Sequence, residues 1–203
     1  SEADRSSGLR GEMAAWGSVS LITTAGSVLD SNDTSVAVYA KALRLFNSSS
    51  SDAISSVGTA SNALEMDVMQ VSGRVGSGGA FLRATNGLAV GQTAAVTFNR
   101  VGADGLVSEM SDALQDDLVS AGSLVLHALQ GDIATALNTG DILAAGAVLL
   151  LADAAAANVN LAGNLMSSAG AISIVASGGI TQQAQSVIRT SATGGSVELV
   201  AGS

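Results

Sequence analysis

His127 is the only histidine in the chain, and a neutral imidazole is the usual base for a serine nucleophile. Ser123 and Asp132 lie close to it in sequence. No segment, however, places a serine on a sharp strand-to-helix elbow or builds an oxyanion site, so a Ser-His-Asp triad is rejected. Asp30, Asn32 and Asp33 gather side-chain oxygens within four residues, as a hard cation requires. Counted from Asp30, the sixth position is not Gly, and the twelfth is Lys41 where a bidentate Glu is needed. The Gly-Gly-x-Gly-x-Asp calcium repeat is absent too, and the segment reads as an Asx turn. Gly73 to Gly79 is glycine-rich, yet Phe81 stands where a dinucleotide loop has its third glycine and no Gly-Lys-Ser/Thr follows. That stretch reads as a corner of the fold.

Carbohydrate chemistry on an elongated fold needs acids clustered with Lys, Arg or calcium. The seven Arg are dispersed and there is one Lys, so the sequence assembles no catalytic, cofactor or metal site. Arg74, Arg83, Arg100, Asp104 and Glu109, in the irregular middle, are the residues from which a shallow saccharide groove would be drawn. The formal net charge of -9 argues against a cationic nucleic-acid surface. Ile142 to Ala152, the longest apolar run, is 11 residues, short of the roughly 18 that a membrane-spanning helix needs. Asn32-Asp-Thr34 and Asn47-Ser-Ser49 match the glycosylation sequon, a pattern silent in a bacterial protein.

Residues outside any site carry the stronger message. Hydrophobic residues make up 47% of the 203 residues but aromatics only 2%, with 24 Gly, no Pro and no Cys, where about ten prolines would be ordinary. Small aliphatic side chains and an uninterrupted supply of N–H donors suit many thin, similar layers. The layers are visible as repeats. Gly122-Ser-Leu-Val-Leu-His-Ala, Gly146-Ala-Val-Leu-Leu-Leu-Ala, Gly170-Ala-Ile-Ser-Ile-Val-Ala and Gly195-Ser-Val-Glu-Leu-Val-Ala start 24, 24 and 25 residues apart. Gly17-Ser-Val-Ser-Leu-Ile-Thr and Lys41-Ala-Leu-Arg-Leu-Phe repeat the pattern near the N-terminus, again 24 apart.

Apolar residues alternate with small or polar ones in each unit, the period of a strand with one buried face. Superposition puts Leu124, Val148, Ile172 and Val197 in one column, Leu126, Leu150, Ile174 and Leu199 in another, and Ala128, Ala152, Ala176 and Ala201 in a third. One kind of side chain per column is what parallel strands stacked about 4.8 Å apart require. The expected fold is all-β, a right-handed parallel β-helix (β-solenoid) with 24-residue turns; the hand follows from the general handedness of parallel crossovers. Gly131-Asp132, Gly140-Asp141, Asn164, Gly178-Gly179 and Gly194-Gly195 supply the corners. Residues 1–16 form a cap or linker, in which Met13 and Trp16 cover the first turn, and 17–203 form one solenoid domain. Irregular insertions occupy about 48–121, including the serine run 48–51. In the acidic segment Glu109 to Asp117, the spacing of Met110, Leu114 and Leu118 predicts a short amphipathic helix.

The stretches Gly17 to Asp30, Leu43-Arg-Leu-Phe, Gly58 to Glu65, Gly76 to Leu82 and Asn99-Arg-Val-Gly-Ala-Asp-Gly resemble modules of the giant β-strand-repeat exoproteins, the filamentous-haemagglutinin-like adhesins of Gram-negative bacteria. The resemblance implies a non-catalytic module, extracellular or on the cell surface, in adhesion, matrix or surface structure. A glycan or cell-surface receptor would be its partner, or further modules of the same protein. Self-association has its own signal: Val125, Leu149, Leu151, Val175 and Val200 occupy outward positions where polar residues are expected, an apolar face apt for a neighbouring copy or module.

Overall fold

The computed structural model describes residues 16–31, 34–47 and 55–202. Each period-two segment is extended, and seventeen of the nineteen described strands join in parallel as a β-solenoid of about seven turns. Three short strands make one turn. The first face stacks Gly79–Ala84, Leu124–Ala128, Val148–Ala152, Ile172–Ala176 and Val197–Ala201. The second stacks Leu88–Val90, Ile133–Thr135, Val159–Leu161 and Ile180–Gln182. The third runs from Ser18–Thr23 through Val38–Asn47, the end of Leu64–Val75, Leu118–Ser120, Ile142–Ala144 and Leu165–Ser167 to Ile188–Thr190.

The register is the one the repeats require. Leu124 pairs with Val148, Val148 with Ile172 and Ile172 with Val197, and the Leu126 and Ala128 columns follow. Burial alternates along the first-face strands of the regular turns, so inward side chains form continuous ladders of Leu, Ile, Val and Ala. Burying each large aliphatic side chain contributes about 1.5–3 kcal/mol, and many similar increments replace a single thick core.

Corners are fixed by side chains that copy the strand ladder. The Asp132 carboxylate accepts from the Asn158 amide N–H at 2.8 Å, and the Asn158 side-chain oxygen accepts from the Gly179 N–H at 2.7 Å. Between the second and third faces Asp117 accepts from Asp141 N–H at 2.9 Å, Asp141 from Asn164 at 2.8 Å and Asn164 from Val187 at 3.0 Å. A third corner needs glycine: a Cβ on Gly170 would lie 2.3 Å from the Ala147 nitrogen of the preceding turn.

Two expectations are corrected. Glu109 to Asp117 forms no helix: Val107–Asp112 pairs antiparallel with Val96–Val101, so those backbone groups are satisfied across a hairpin. The four-residue spacing joins unlike environments, with Met110 opposite Phe98, Leu114 exposed and Leu118 buried in the coil. Gly73 is not a corner either. It lies inside Leu64–Val75, where an added Cβ would meet Leu118 at 2.8 Å and Leu45 at 3.3 Å, so its missing side chain makes room for two leucines. The bend lies beyond it, where Gly79 N–H donates to the Gly76 carbonyl. Within the expected irregular middle the coil continues from 55 to 90, and the hairpin is the departure from it. Met13, the serine run 48–51, Asn32 and Asp33, and with them the full sequons and the completed Asx turn, lie outside the described residues.

Leu150 is fully buried, while Leu151 beside it points outward and is half-buried. Leu150→Ala should lower stability by about 2–5 kcal/mol, and Leu151→Ala by less than about 1 kcal/mol, both read from urea unfolding followed by far-UV circular dichroism.

Candidate functional site

Outward positions of the first face form two columns. One runs Phe81, Val125, Leu149, Ser173, Glu198; the other runs Glu65, Arg83, His127, Leu151, Val175, Val200. All five residues of the expected apolar face therefore lie on one side, Val125, Leu149, Leu151 and Val175 half-buried and Val200 exposed. The Thr59–Ala63 loop rims their upstream end. The loop and the upstream pair, Val125 and Leu149, border an open groove of about 370 Å³, lined also by Phe81, Arg83 and His127.

The upstream part of the second column is charged. Arg83 donates to the Glu65 carboxylate at 2.7 Å, and Glu65 is nearly inaccessible at 4% exposure. Burial pushes the Glu65 carboxyl above its ordinary range, and a carboxyl–carboxyl hydrogen bond with Asp30 and the charge of Asp30 push the same way, opposed by the Arg83 cation. Asp30 also accepts from the Asn62 side chain at 3.4 Å. His127 Nε2 lies 3.4 Å from an exposed Asp153 carboxylate, and nothing in that contact activates a nucleophile. Arg83's place in this column, and Glu65 beside it, escape notice in the sequence because 44 residues separate Arg83 from His127, nearly two turns. The available signal was Ala80-Phe-Leu-Arg-Ala84, which has the alternation of Leu124–Ala128.

The hairpin is clamped to the third face. Arg44, 6% exposed, donates through Nε to the Ala113 carbonyl at 3.1 Å and through a guanidinium nitrogen to Ser20 at 3.2 Å, with Asp112 at 3.9 Å and the Phe46 ring 4.8 Å away. Gln115 donates to the Leu45 carbonyl at 2.9 Å, and the Ser72 and Thr93 hydroxyls meet at 2.6 Å. The saccharide grouping weighed from sequence is dispersed by this arrangement. Arg100 and Glu109 are on the hairpin strands and Asp104 in its turn, Arg74 is on the third face and Arg83 on the first. Among the described residues no three His, Asp or Glu side chains converge as a metal site, and no helix is long and apolar enough to cross a membrane.

Searches against protein-family models, curated proteins and solved structures return no match to this chain.

Two carboxyls give the coil a defined pH response. Burial raises the Asp117 carboxyl above its ordinary range; the charges of Asp141 and Asp116 add to this, while the Asp141 N–H and Arg74 oppose it. A carboxyl whose folded pKa is raised contributes its full stability below its unfolded pKa and loses it as pH climbs through the folded value. Asn keeps the acceptor and suits the left-handed backbone at this position, where φ is 64°. Asp117→Asn should therefore stabilise the protein at pH 7 by ~0.5 kcal/mol, with the difference gone near pH 3 in thermal melts. Arg83→Met should destabilise at pH 7 by about 2 kcal/mol by stranding the Glu65 carboxylate, and the loss should shrink on acidification as Glu65 takes up its proton.

Proposed function

We propose that the chain is a non-catalytic structural and adhesive module of an extracellular or surface-displayed assembly, and that copies of it associate through the first face. The observation that carries this reading is the apolar outward surface of the regular turns, where Val125, Leu149, Leu151 and Val175 stand half-buried at positions that point to water. The uniform cross-section supports the reading too, because a rod of constant section transmits length and displays a surface without needing a pocket.

A second reading, glycan binding, draws on the first-face groove, where the Phe81 ring stands near Arg83 and His127. Binding on a glycan array that disappears in Phe81→Ala would favour it.

Association through this face is tested by light scattering and electron microscopy across a concentration series. Particles that grow with concentration are expected, with the assembly constant falling at least ten-fold in Leu151→Asp while the circular dichroism spectrum is kept. Dispersed monomers at high concentration would overturn it.

A further inference from the structure

The hairpin ends in an apolar tip that no part of the described chain covers. Val101, Leu106 and Val107 are 66%, 70% and 63% exposed, although they sit together at the closed end of the hairpin. The tip is well ordered by its own bonds: Gly102 N–H donates to the Leu106 carbonyl at 2.8 Å, and Leu106 N–H donates to the Asp104 carboxylate at 3.0 Å. It also carries acids: Asp104 lies in the turn, and Glu109 shares a face of the hairpin with Val101 and Val107 by strand alternation, whereas Arg100 stands on the opposite face.

A complementary surface lies on the third face of the same chain. Its outward column reads Phe46, Arg74, Val119, Leu143, Met166, Arg189, so half-buried apolar side chains are bracketed by arginines. Val119, Leu143 and Met166 line an open, mostly apolar groove of about 310 Å³, edged by Ser168, Arg189 and Ser191. Arg189 is exposed, with a guanidinium nitrogen 4.0 Å from the Met166 sulfur. The hairpin cannot fill its own groove. Its anchors pass from Thr93 against Ser72, through Gln115 against Leu45, to Ala113 against Arg44, and its first strand packs near Ser18–Thr23, so it runs toward the earliest turns. The groove lies on the later ones.

We propose that the hairpin tip of one molecule seats in the third-face groove of a second copy, with Leu106 and Val107 against Leu143 and Met166 and the acidic tip beside Arg189. Charge complementarity selects this occupant. With a formal net charge of -9, two copies repel as wholes, and contact is favoured where an exposed cation meets an acidic element. The contact is head to tail in kind, since different surfaces meet, so it builds a ring or an open filament according to the rotation between copies. It goes beyond the first-face reading and does not depend on it.

The chain has no cysteine, which makes thiol trapping specific. Leu106→Cys protein mixed with Met166→Cys protein should form a crosslinked heterodimer on mild oxidation, at least five-fold more than either variant forms with itself. Arg189→Glu in the groove partner should cut the yield about ten-fold, and Glu109→Arg in the hairpin partner should restore it. Leu151→Asp, on the first face, should leave the crosslink unchanged, so a fall in the assembly constant with retention of the crosslink separates the two contacts. Equal yields in all pairings, no crosslink, or no rescue by the charge swap would overturn the proposal and leave the groove to a different partner.

Discussion

Everything in this molecule follows from the separation of neighbouring strands, about 4.8 Å. At that distance side chains in equivalent positions of successive turns touch, and an inward column holds together only if its members have similar volume and polarity. Leucine, isoleucine and valine therefore follow one another through the interior, alanine follows alanine at the end of the first-face strands, and Asp is followed by Asp or Asn up the corners. The absence of proline belongs to the same constraint. Each ladder strand must donate to its neighbour, and a residue without an N–H would break one rung in two adjacent turns.

The constraint also explains how far the fold is legible. From Gly122 onward, the columns drawn by aligning repeats coincide residue for residue with the pairing, because the extra or missing residues fall in the corners and never within the first-face strands. The helix expected around Met110 fails for a complementary reason. Periodicity over nine residues assumes one environment, but Met110 faces Phe98 across a hairpin while Leu118 already belongs to the next turn of the coil. Gly73 reads as a bend by composition and is in fact a strand residue, since what it accommodates are leucines 28 residues before it and 45 after it. Local spacing carries no trace of those neighbours.

The outward surface was partly legible. The five apolar residues do share a side, and His127 does stand in register with Leu151, Val175 and Val200. Hidden from sequence was the charged continuation of that column into Arg83 and Glu65, because the hairpin lengthens one turn to 44 residues and the turn before it has only 18. The clamp around Arg44 was hidden as well. Its partners at Ala113 and Asp112 are about 70 residues away, and nothing about an Arg in an alternating strand distinguishes one that is buried against a carbonyl from one in water.

The stacking register has a consequence for how such a protein changes over generations. Removing one whole repeat, such as the 24 residues that separate Gly146 from Gly170, would join two corners of the same shape and shorten the rod by a single rung. Removing one residue from a strand would turn every later side chain of that strand inside out. Length is thus inherited in discrete steps, by duplication or loss of whole turns, while novelty of any other size can enter only at a corner. The hairpin between the second and third faces has the form of such an addition.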